Sequence, residues 1–172
     1  MAGRVTVVPY DENWKRDFER IKNHIMPVAD GLILRIEHVG STSVEGLCAK
    51  PIIDIDAVIK DYSVFDALVK KLSEIGYVHE GNLGIKDREA FDYRGDTVLP
   101  KHHLYVCPVF SAELRRHVSF RDYLRENRED MVRYSRVKEE GARMFPDSIE
   151  GYIAHKSPCI EEIYEKINCS KR

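Results

Sequence analysis

Apolar residues recur along this chain at periods of about 3.6 and about 2, which are typical of helices and strands respectively. In the first half, helical spacing predicts amphipathic helices over 11–28 and 61–75. Their apolar stripes consist of Trp14, Phe18, Ile21 and Ile25 in the first helix, and of Val64, Leu68, Leu72 and Ile75 in the second. Gly76 follows the second stripe, at a position where glycine commonly ends a helix.

Short apolar or alternating segments predict the strands. These strands are 5–8, 31–39, 51–59, one that starts at 77–80, and 102–107. We expect 40–50 to form a loop or short helix, and the polar segment 81–101 to form a loop or irregular hairpin at the rim of a site. The remaining pattern is helical, over 112–125, 127–144 and 147–168. Because strands come first and helices last, the sequence predicts an α+β fold, with a mixed sheet, flanking helices and a helical C-terminal portion.

The length and net charge of the chain indicate how many domains it forms and which partners it does not attract electrostatically. A chain of 172 residues with 43% hydrophobic residues is expected to form one domain, over 1–172, with its own core. Its formal charge of −2, from 27 basic and 29 acidic residues, gives no global attraction to nucleic acid or to an anionic membrane. We therefore expect neither nucleic-acid nor membrane binding.

The N-terminal sequence lacks the apolar core of a signal peptide, and no apolar run approaches the roughly 18 residues that a membrane span needs. We therefore expect a cytoplasmic protein. The cysteines form no C-x-x-C pair, so we interpret them as reduced thiols that build neither a zinc site nor a disulfide framework. They are Cys48, Cys107, Cys159 and Cys169.

Two aspartates share one face of the strand predicted over 51–59. A period of two places Ile53, Ile55, Ala57 and Ile59 on one face and Asp54 and Asp56 on the other. Two carboxylates on an apolar strand are costly to bury unpaired, and a divalent cation removes that cost. Hard oxygen ligands favour Mg²⁺, with Mn²⁺ as an alternative. A pair that simply points into solvent at a strand end is the competing interpretation.

A glycine-hydroxyl turn precedes this strand. Gly40, Ser41, Thr42 and Ser43 follow a predicted strand, and twelve residues separate Ser41 from Asp54. Such turns present backbone N–H groups to phosphate oxygens, although the same residues are also ordinary turn formers. A phosphate-binding turn placed beside a metal-binding strand is the combination that carries the functional hypothesis.

These motifs resemble the GrpB-like family of the nucleotidyltransferase superfamily, and the resemblance covers nearly the whole chain. The matching segments are 36–44, 46–47, 49–56, 76–77, 102–107 and 120–125, together with Tyr134, Lys138, Tyr152 and Lys156. The resemblance implies a nucleotidyltransferase-like sheet, a nucleotide-binding cleft and Mg²⁺ held by carboxylates. Two positions depart from the pattern: Glu45 replaces a usual proline, and the superfamily's third carboxylate has no counterpart on strand 102–107. That strand offers His103 and Tyr105 on one face instead.

Other polar residues are candidates for the same site. His103 is a candidate metal ligand or proton shuttle, or alternatively a packed strand histidine. Lys50 and Arg88 are candidate triphosphate ligands, because cations neutralise the charge that phosphoryl transfer stabilises. Arg121, Lys138 and Lys156 match family positions and either line the cleft or belong to solvated helix faces. The cluster Arg115, Arg116 and His117 is interpreted as a solvated face.

The sequence thus predicts a Mg²⁺-dependent nucleotidyltransferase. Asp54, Asp56 and His103 would be catalytic, with Asp54 and Asp56 as metal ligands. The nucleotide, a nucleoside triphosphate represented by ATP, would be bound by Gly40, Ser41, Thr42, Ser43, Lys50 and Arg88. The acceptor, a hydroxyl on a small molecule or a protein, is not identified by the sequence. The missing third carboxylate favours an alternative, a catalytically weakened nucleotide-binding or sensing module, while the glycine-serine spacing disfavours a phosphohydrolase.

Overall fold

The first helix forms where its apolar stripe predicts it. In the computed structural model, which describes residues 4–169, helix α1 spans Asn13–Ile25. The Asn13 backbone N–H donates to the Asp11 carboxylate at 2.9 Å, which satisfies a donor at the start of the helix. The buried residues of α1 are Trp14, Phe18, Ile21 and Ile25. The apolar stripe of this helix is therefore its buried face, as the sequence predicts.

Five strands form one mixed sheet. They are β1 (Arg35–Val39), β2 (Ile53–Ile59), β3 (Tyr77–Gly81), β4 (Glu89–Tyr93) and β5 (His102–Pro108). Their order across the sheet is β1-β2-β5-β4-β3. Strands β2 and β5 run parallel, and the other neighbours are antiparallel. The α+β class with a mixed sheet is therefore confirmed.

Four further helices complete the described chain. They are α2 (Phe65–Glu74), α3 (Ala112–Glu126), α4 (Arg128–Met144) and α5 (Ile149–Cys169). The last three form the helical C-terminal portion that the sequence predicts. Within residues 4–169, no helix is both long enough and apolar enough to cross a membrane.

The two faces of strand β2 have different roles: one packs into the main core and the other carries the aspartates of the candidate site. Its residues Ile53, Ile55, Ala57 and Ile59 are buried in the main core, which contains the buried residues of α1 and α2. On the other face, Val58 packs with Cys107 of β5 and Leu114 of α3. Asp54 and Asp56 share the face of Val58, because strand residues two apart point to the same side. The predicted alternation of β2 is correct.

The C-terminal helices pack onto the segment that follows the glycine-serine turn. Val44 and Leu47 of that segment share a second core with residues of α3, α4 and α5. The helical members of this core are Leu124, Met131, Tyr134, Cys159, Ile163 and Ile167. This packing places α4 and α5 beside the turn and so forms a cleft next to β2.

Two strand segments differ from their predictions. Residues 5–8 form no strand; Val8 makes a single bridge to Ala49, and Pro9 lacks the N–H group that would extend pairing. The strand predicted over 31–39 begins only at Arg35, because Gly31 adopts a positive φ of 74° in a turn. The irregular hairpin, one of the two expectations for 81–101, is confirmed, because this segment contains strand β4, paired antiparallel with β3 across a register shift.

Helix α2 begins later than predicted over 61–75, because Tyr62–Val64 form a 3-10 turn first. The Asp61 side chain accepts the Ser63 backbone N–H, which caps this turn. The single domain expected over 1–172 extends at both ends outside the described residues, and its extent stays a prediction.

Candidate functional site

The turn after β1 is built against the first aspartate of β2. Gly40 has φ 69° and ψ −173°, a conformation that essentially only glycine adopts. A Cβ atom at Gly40 would lie 2.4 Å from Oδ2 of Asp54. Two independent features therefore require glycine at position 40: the backbone angles and the carboxylate that packs against the turn.

Hydrogen bonds hold the turn in this shape. The Ser43 hydroxyl donates to the Gly40 carbonyl oxygen at 2.6 Å, and Thr42 Oγ1 lies 2.9 Å from Nε2 of His38. From α3, the Arg125 guanidinium donates to the Ser43 carbonyl oxygen at 2.7 Å. Burial is the largest of the effects that lower the pKa of His38 to about 4, so this imidazole is neutral at pH 7.

The two aspartates differ in exposure and in partner. The Asp54 side chain is 33% exposed, and its Oδ1 lies 2.9 Å from Nδ1 of His103. Asp56 has no exposure, and its Oδ2 lies 2.7 Å from Nδ1 of His117 on α3. The parallel pairing of β2 with β5 places His103 beside Asp54. Each aspartate therefore faces one imidazole.

Burial and pairing shift the pKa values of the inner pair. Burial raises the pKa of Asp56 despite the hydrogen bond from His117. Burial alone would lower the pKa of His117, but the hydrogen bond and the charge of Asp56 outweigh it and raise that pKa. The electrostatics of this pair thus depend on a carboxylate that is fully removed from water.

The donor set fits a cation that is bound partly by water and substrate. Oδ1 of Asp56 is buried and has no hydrogen-bond partner among the described residues. An unpaired carboxylate oxygen is costly, and a cation would satisfy it. Within residues 4–169, no group of three or more His, Cys, Asp or Glu side chains is arranged to hold a metal ion. Two carboxylates nevertheless suit Mg²⁺, which usually keeps several waters and completes its coordination with phosphate oxygens.

A cavity of about 190 Å³ lies beside Asp54, between the turn and helices α4 and α5. Three lysines line it: Lys50 from the segment before β2, Lys138 from α4 and Lys156 from α5. The other lining residues are Ser41, Thr42, Ala49, Ile52, Asp54, His103 and Tyr152. The cavity thus carries three basic side chains around one partly exposed carboxylate.

Lys138 is the most unusual of these lysines. It is 2% exposed, its Nζ donates to the Cys48 carbonyl oxygen, and it lies 5.1 Å from the centre of the Tyr134 ring. Burial lowers its pKa to about 7. Burial followed by the charge of Lys50 also lowers the pKa of Lys156. The fold therefore removes the Lys138 ammonium from water without a hydrogen-bonded carboxylate and partly buries Lys156, an arrangement that favours an anionic ligand.

The structure brings most of the predicted site residues together, with exceptions. Arg88 does not line the cavity; its guanidinium lies 4.3 Å from the centre of the Tyr105 ring. Ser43 faces a different cavity, behind the turn. Arg121 donates to the Glu37 carboxylate and to the His38 carbonyl oxygen, so it supports β1 rather than the cleft.

His117 does not belong to the solvated face that was predicted for Arg115, Arg116 and His117. Those two arginines are exposed, whereas the His117 side chain is only 23% exposed. A signal was present in the sequence. His117 follows Leu114 by three residues and precedes Leu124 by seven, which places it on the buried stripe of α3.

The chain belongs to the GrpB family, whose model, described as GrpB protein, matches residues 4–166. A UPF0157 protein of Halalkalibacterium halodurans is 36% identical over 170 residues, covering 96% of this chain and 84% of that protein. The crystal structure of the conserved protein GrpB from Enterococcus faecalis is 32% identical, with a TM-score of 0.80. It covers 94% of this chain and 98% of that one. The family resemblance expected from the sequence is confirmed.

A more distant structural neighbour defines the class of fold. The Cid1 poly(U) polymerase, in a mutant form bound to MgATP, superimposes with a TM-score of 0.51 at 7% identity. The match covers 79% of this chain and 41% of that one. At this identity the likeness concerns the fold alone, which is nucleotidyltransferase-like.

We predict that Gly40→Ala destabilises the protein more than a substitution at a glycine without a packed neighbour does. Gly31→Ala is the matched control, because Gly31 also has a positive φ but a Cβ there would meet nothing within 4 Å. In denaturant titrations, Gly31→Ala should lower the free energy of unfolding by about 1 kcal/mol. Gly40→Ala should lower it further, because Asp54 must move. Equal losses for both variants would contradict the packing argument.

We predict that Lys138→Met stabilises the ligand-free protein at pH 7 by about 1–3 kcal/mol, because it removes a buried ammonium. The pKa of Lys138 is about 7 in the folded chain and 10.5 ordinarily, so the unfolded chain binds more protons between these values. The wild type therefore gains stability relative to the variant as pH rises from 7 towards 10. Denaturant titrations across this range measure the difference.

Lys70→Met, on the exposed face of α2, is the control and should show no such dependence. The prediction is wrong if Lys138→Met is less stable than wild type at pH 7, or if the stability difference between the two does not change with pH. Either result would show that burial of the Lys138 ammonium does not destabilise the protein.

Proposed function

We propose that this protein is a Mg²⁺-dependent nucleotidyltransferase that moves a nucleoside monophosphate from a triphosphate, represented by ATP, to an acceptor hydroxyl. One observation carries the proposal. The Gly40 turn packs directly against Asp54, and the cavity beside them is lined by Ser41 and by three lysines. A turn, a carboxylate strand and a basic cavity are the parts that metal–triphosphate binding requires.

The cavity fits the phosphate end of such a ligand better than its base. Its volume of about 190 Å³ lies below the roughly 300–1,000 Å³ of typical ligand pockets. Phosphate oxygens would act as the anionic partners of Lys138 and Lys156. In this arrangement Ser41 and Thr42 contact the terminal phosphates, and Lys50 neutralises part of their charge. The base and sugar would lie outside this cavity.

The chemistry requires positioning more than bond-making side chains. Asp54 and Asp56 would hold the cation, which would neutralise the charge that develops on the transferred group. The acceptor hydroxyl attacks the α-phosphorus as the bond to the pyrophosphate oxygen breaks, and the hydroxyl proton leaves to a base or water. His103, half exposed beside Asp54, remains our candidate for either of its two roles, metal ligand or proton acceptor. The Cid1 structure bound to MgATP supports this class of ligand.

A second function, a nucleotide-binding or sensing module without transfer activity, is favoured by one specific observation. The strand beside the aspartates, β5, places His103 next to Asp54 and Tyr105 next to Asp56. Neither residue is the third carboxylate that the superfamily resemblance implies. A site with two carboxylates can bind a metal–triphosphate complex and still lack the charge density needed for transfer.

One experiment tests the site and separates the two functions. We predict that ATP binding, measured by calorimetry, requires Mg²⁺ and is lost in the Asp54→Asn, Asp56→Asn double variant, because no carboxylate then binds the cation. Asp66→Asn, at an exposed position of α2, is the control for loss of a carboxylate elsewhere and should bind as wild type does. Equal binding by the double variant would eliminate the metal site. Binding with no pyrophosphate release, over a panel of hydroxyl acceptors, would favour the sensing module.

We also predict that Ser41→Ala weakens ATP binding more than AMP binding. Ser41 lines the basic cavity, where the terminal phosphates are expected, so the loss for ATP should be about 1–2 kcal/mol for one charge-assisted hydrogen bond. Parallel titrations with ATP and AMP measure the difference, with Ser73→Ala on α2 as the control. The same loss for both nucleotides would place Ser41 against the sugar or the base instead.

A further inference from the structure

Asp56 is a buried carboxylate, and burial opposes its ionisation unless another group donates a hydrogen bond to it. It has no exposure, and like-charged Asp54 lies two residues away on the same face of β2. Burial of a carboxylate without hydrogen bonds costs several kcal/mol. The pairing partner in β5 at this level is Tyr105, whose ring lies under the Arg88 guanidinium. The hydrogen bond to Asp56 comes instead from His117 of α3.

The geometry of that bond fixes both partners. Nδ1 of His117 lies 2.7 Å from Oδ2 of Asp56, and an ionised carboxylate only accepts, so Nδ1 carries the proton. On the far side of the ring, Nε2 lies 3.6 Å from Oε2 of Glu113, one turn earlier on α3. A carboxylate therefore lies near each ring nitrogen, and Nδ1 is the one that is hydrogen-bonded. Oδ1 of Asp56 is meanwhile buried and without a hydrogen-bond partner among the described residues.

We propose that His117 is a positioning residue for the metal site: its Nδ1–H holds Oδ2 of Asp56 and thereby leaves Oδ1 as the single oxygen offered to the cation. This inference rests on the proposed function, since it assigns to Asp56 the role of metal ligand. It adds a positioning residue of α3 to a site whose proposed metal ligands lie on the sheet. Helix α3 thus contributes to metal binding through Asp56 and touches neither metal nor nucleotide itself.

The expected effect follows from how such supporting hydrogen bonds act. Residues that orient metal ligands typically change metal affinity by about 10- to 100-fold when they are removed. Without His117, the buried Asp56 carboxylate has no donor, so it rotates or takes up a proton, and either change removes Oδ1 as a ligand. Metal affinity should therefore fall while the sheet and the cavity lysines keep their places.

Two substitutions separate the hydrogen bond from the bulk of the ring. The amide nitrogen of asparagine lies at nearly the position of Nδ1, whereas that of glutamine lies nearer the position of Nε2. His117→Asn therefore keeps the donor to Asp56, and His117→Gln and His117→Ala do not. His155→Ala on α5 is the matched control, because His155 is also partly buried and lies near a carboxylate, Glu140, at 3.7 Å.

The test is a titration of the full chain with Mn²⁺ alone, followed by the electron paramagnetic resonance of free Mn²⁺, with thermal unfolding recorded for each variant. We expect His117→Ala and His117→Gln to weaken Mn²⁺ binding about 10- to 100-fold. His117→Asn and His155→Ala should bind within about threefold of wild type. Rescue by asparagine is the result that a merely structural role would not give.

Other outcomes overturn the inference in distinguishable ways. If wild type binds Mn²⁺ and His117→Ala or His117→Gln binds equally well, His117 does not position Asp56. If His117→Asn is as weak as His117→Gln, the ring rather than its donor matters, and the positioning role is wrong. Should the alanine variant fail to fold, the asparagine and glutamine pair decides alone. Failure of wild type to bind Mn²⁺ both alone and in the presence of ATP contradicts the proposed function, and the role of His117 falls with it.

Discussion

The candidate site depends on one constraint, the placement of two carboxylates on the inner face of a strand that the rest of the fold buries. Strand β2 pairs on both sides, with β1 and β5, and its isoleucines anchor it in the main core. Asp54 and Asp56 are therefore held by the strand's own packing. Slippage of β2 by one residue would exchange the aspartates with core isoleucines, so the hydrophobic pattern that stabilises the sheet also fixes the carboxylates.

The neighbouring elements are arranged around the charge of these carboxylates. The turn can pack against Asp54 because Gly40 has no Cβ atom. His103 and His117 lie within hydrogen-bond distance of Asp54 and Asp56 respectively. Across the cavity, buried Lys138 bears a pKa lowered to about 7. One carboxylate, Asp54, and three lysines line the same cavity, which suits a ligand that carries both a cation and an anion. A metal–triphosphate complex has this composition.

Much of this arrangement can be predicted from local sequence patterns. The stripe of α1 and the alternation of β2 are periodic over many residues, so each gives a strong signal for element type and for the buried face. The signal for strand β4 is weaker, because only Ala90 and Phe91 of its five residues are buried and its neighbours are polar. Local pattern therefore predicts 81–101 only as a loop or irregular hairpin. Residues 5–8 show the opposite error, since an apolar run beside Pro9 finds only a single bridge.

Local sequence patterns do not predict contacts between residues that are far apart in the sequence. His117 lies 61 positions from Asp56, and nothing in the sequence near either residue specifies their contact. Likewise, the separation of Lys138 from solvent arises only when α4 packs beside the turn, and Arg88 lies on Tyr105 because β4 and β5 pair. Helical spacing did place His117 on the buried stripe of α3, so its burial was predictable even though its partner was not.

The most direct measurement is a crystal structure of the full chain with Mg²⁺ and a non-hydrolysable ATP analogue. The account predicts the cation between Asp54 and Oδ1 of Asp56, with the terminal phosphates in the lysine-lined cavity beside Ser41. An analogue bound elsewhere would contradict it, for example in the cavity of about 490 Å³ behind the turn, which is lined by Lys15 and Arg125. So would an analogue in the expected cavity with no cation on either aspartate.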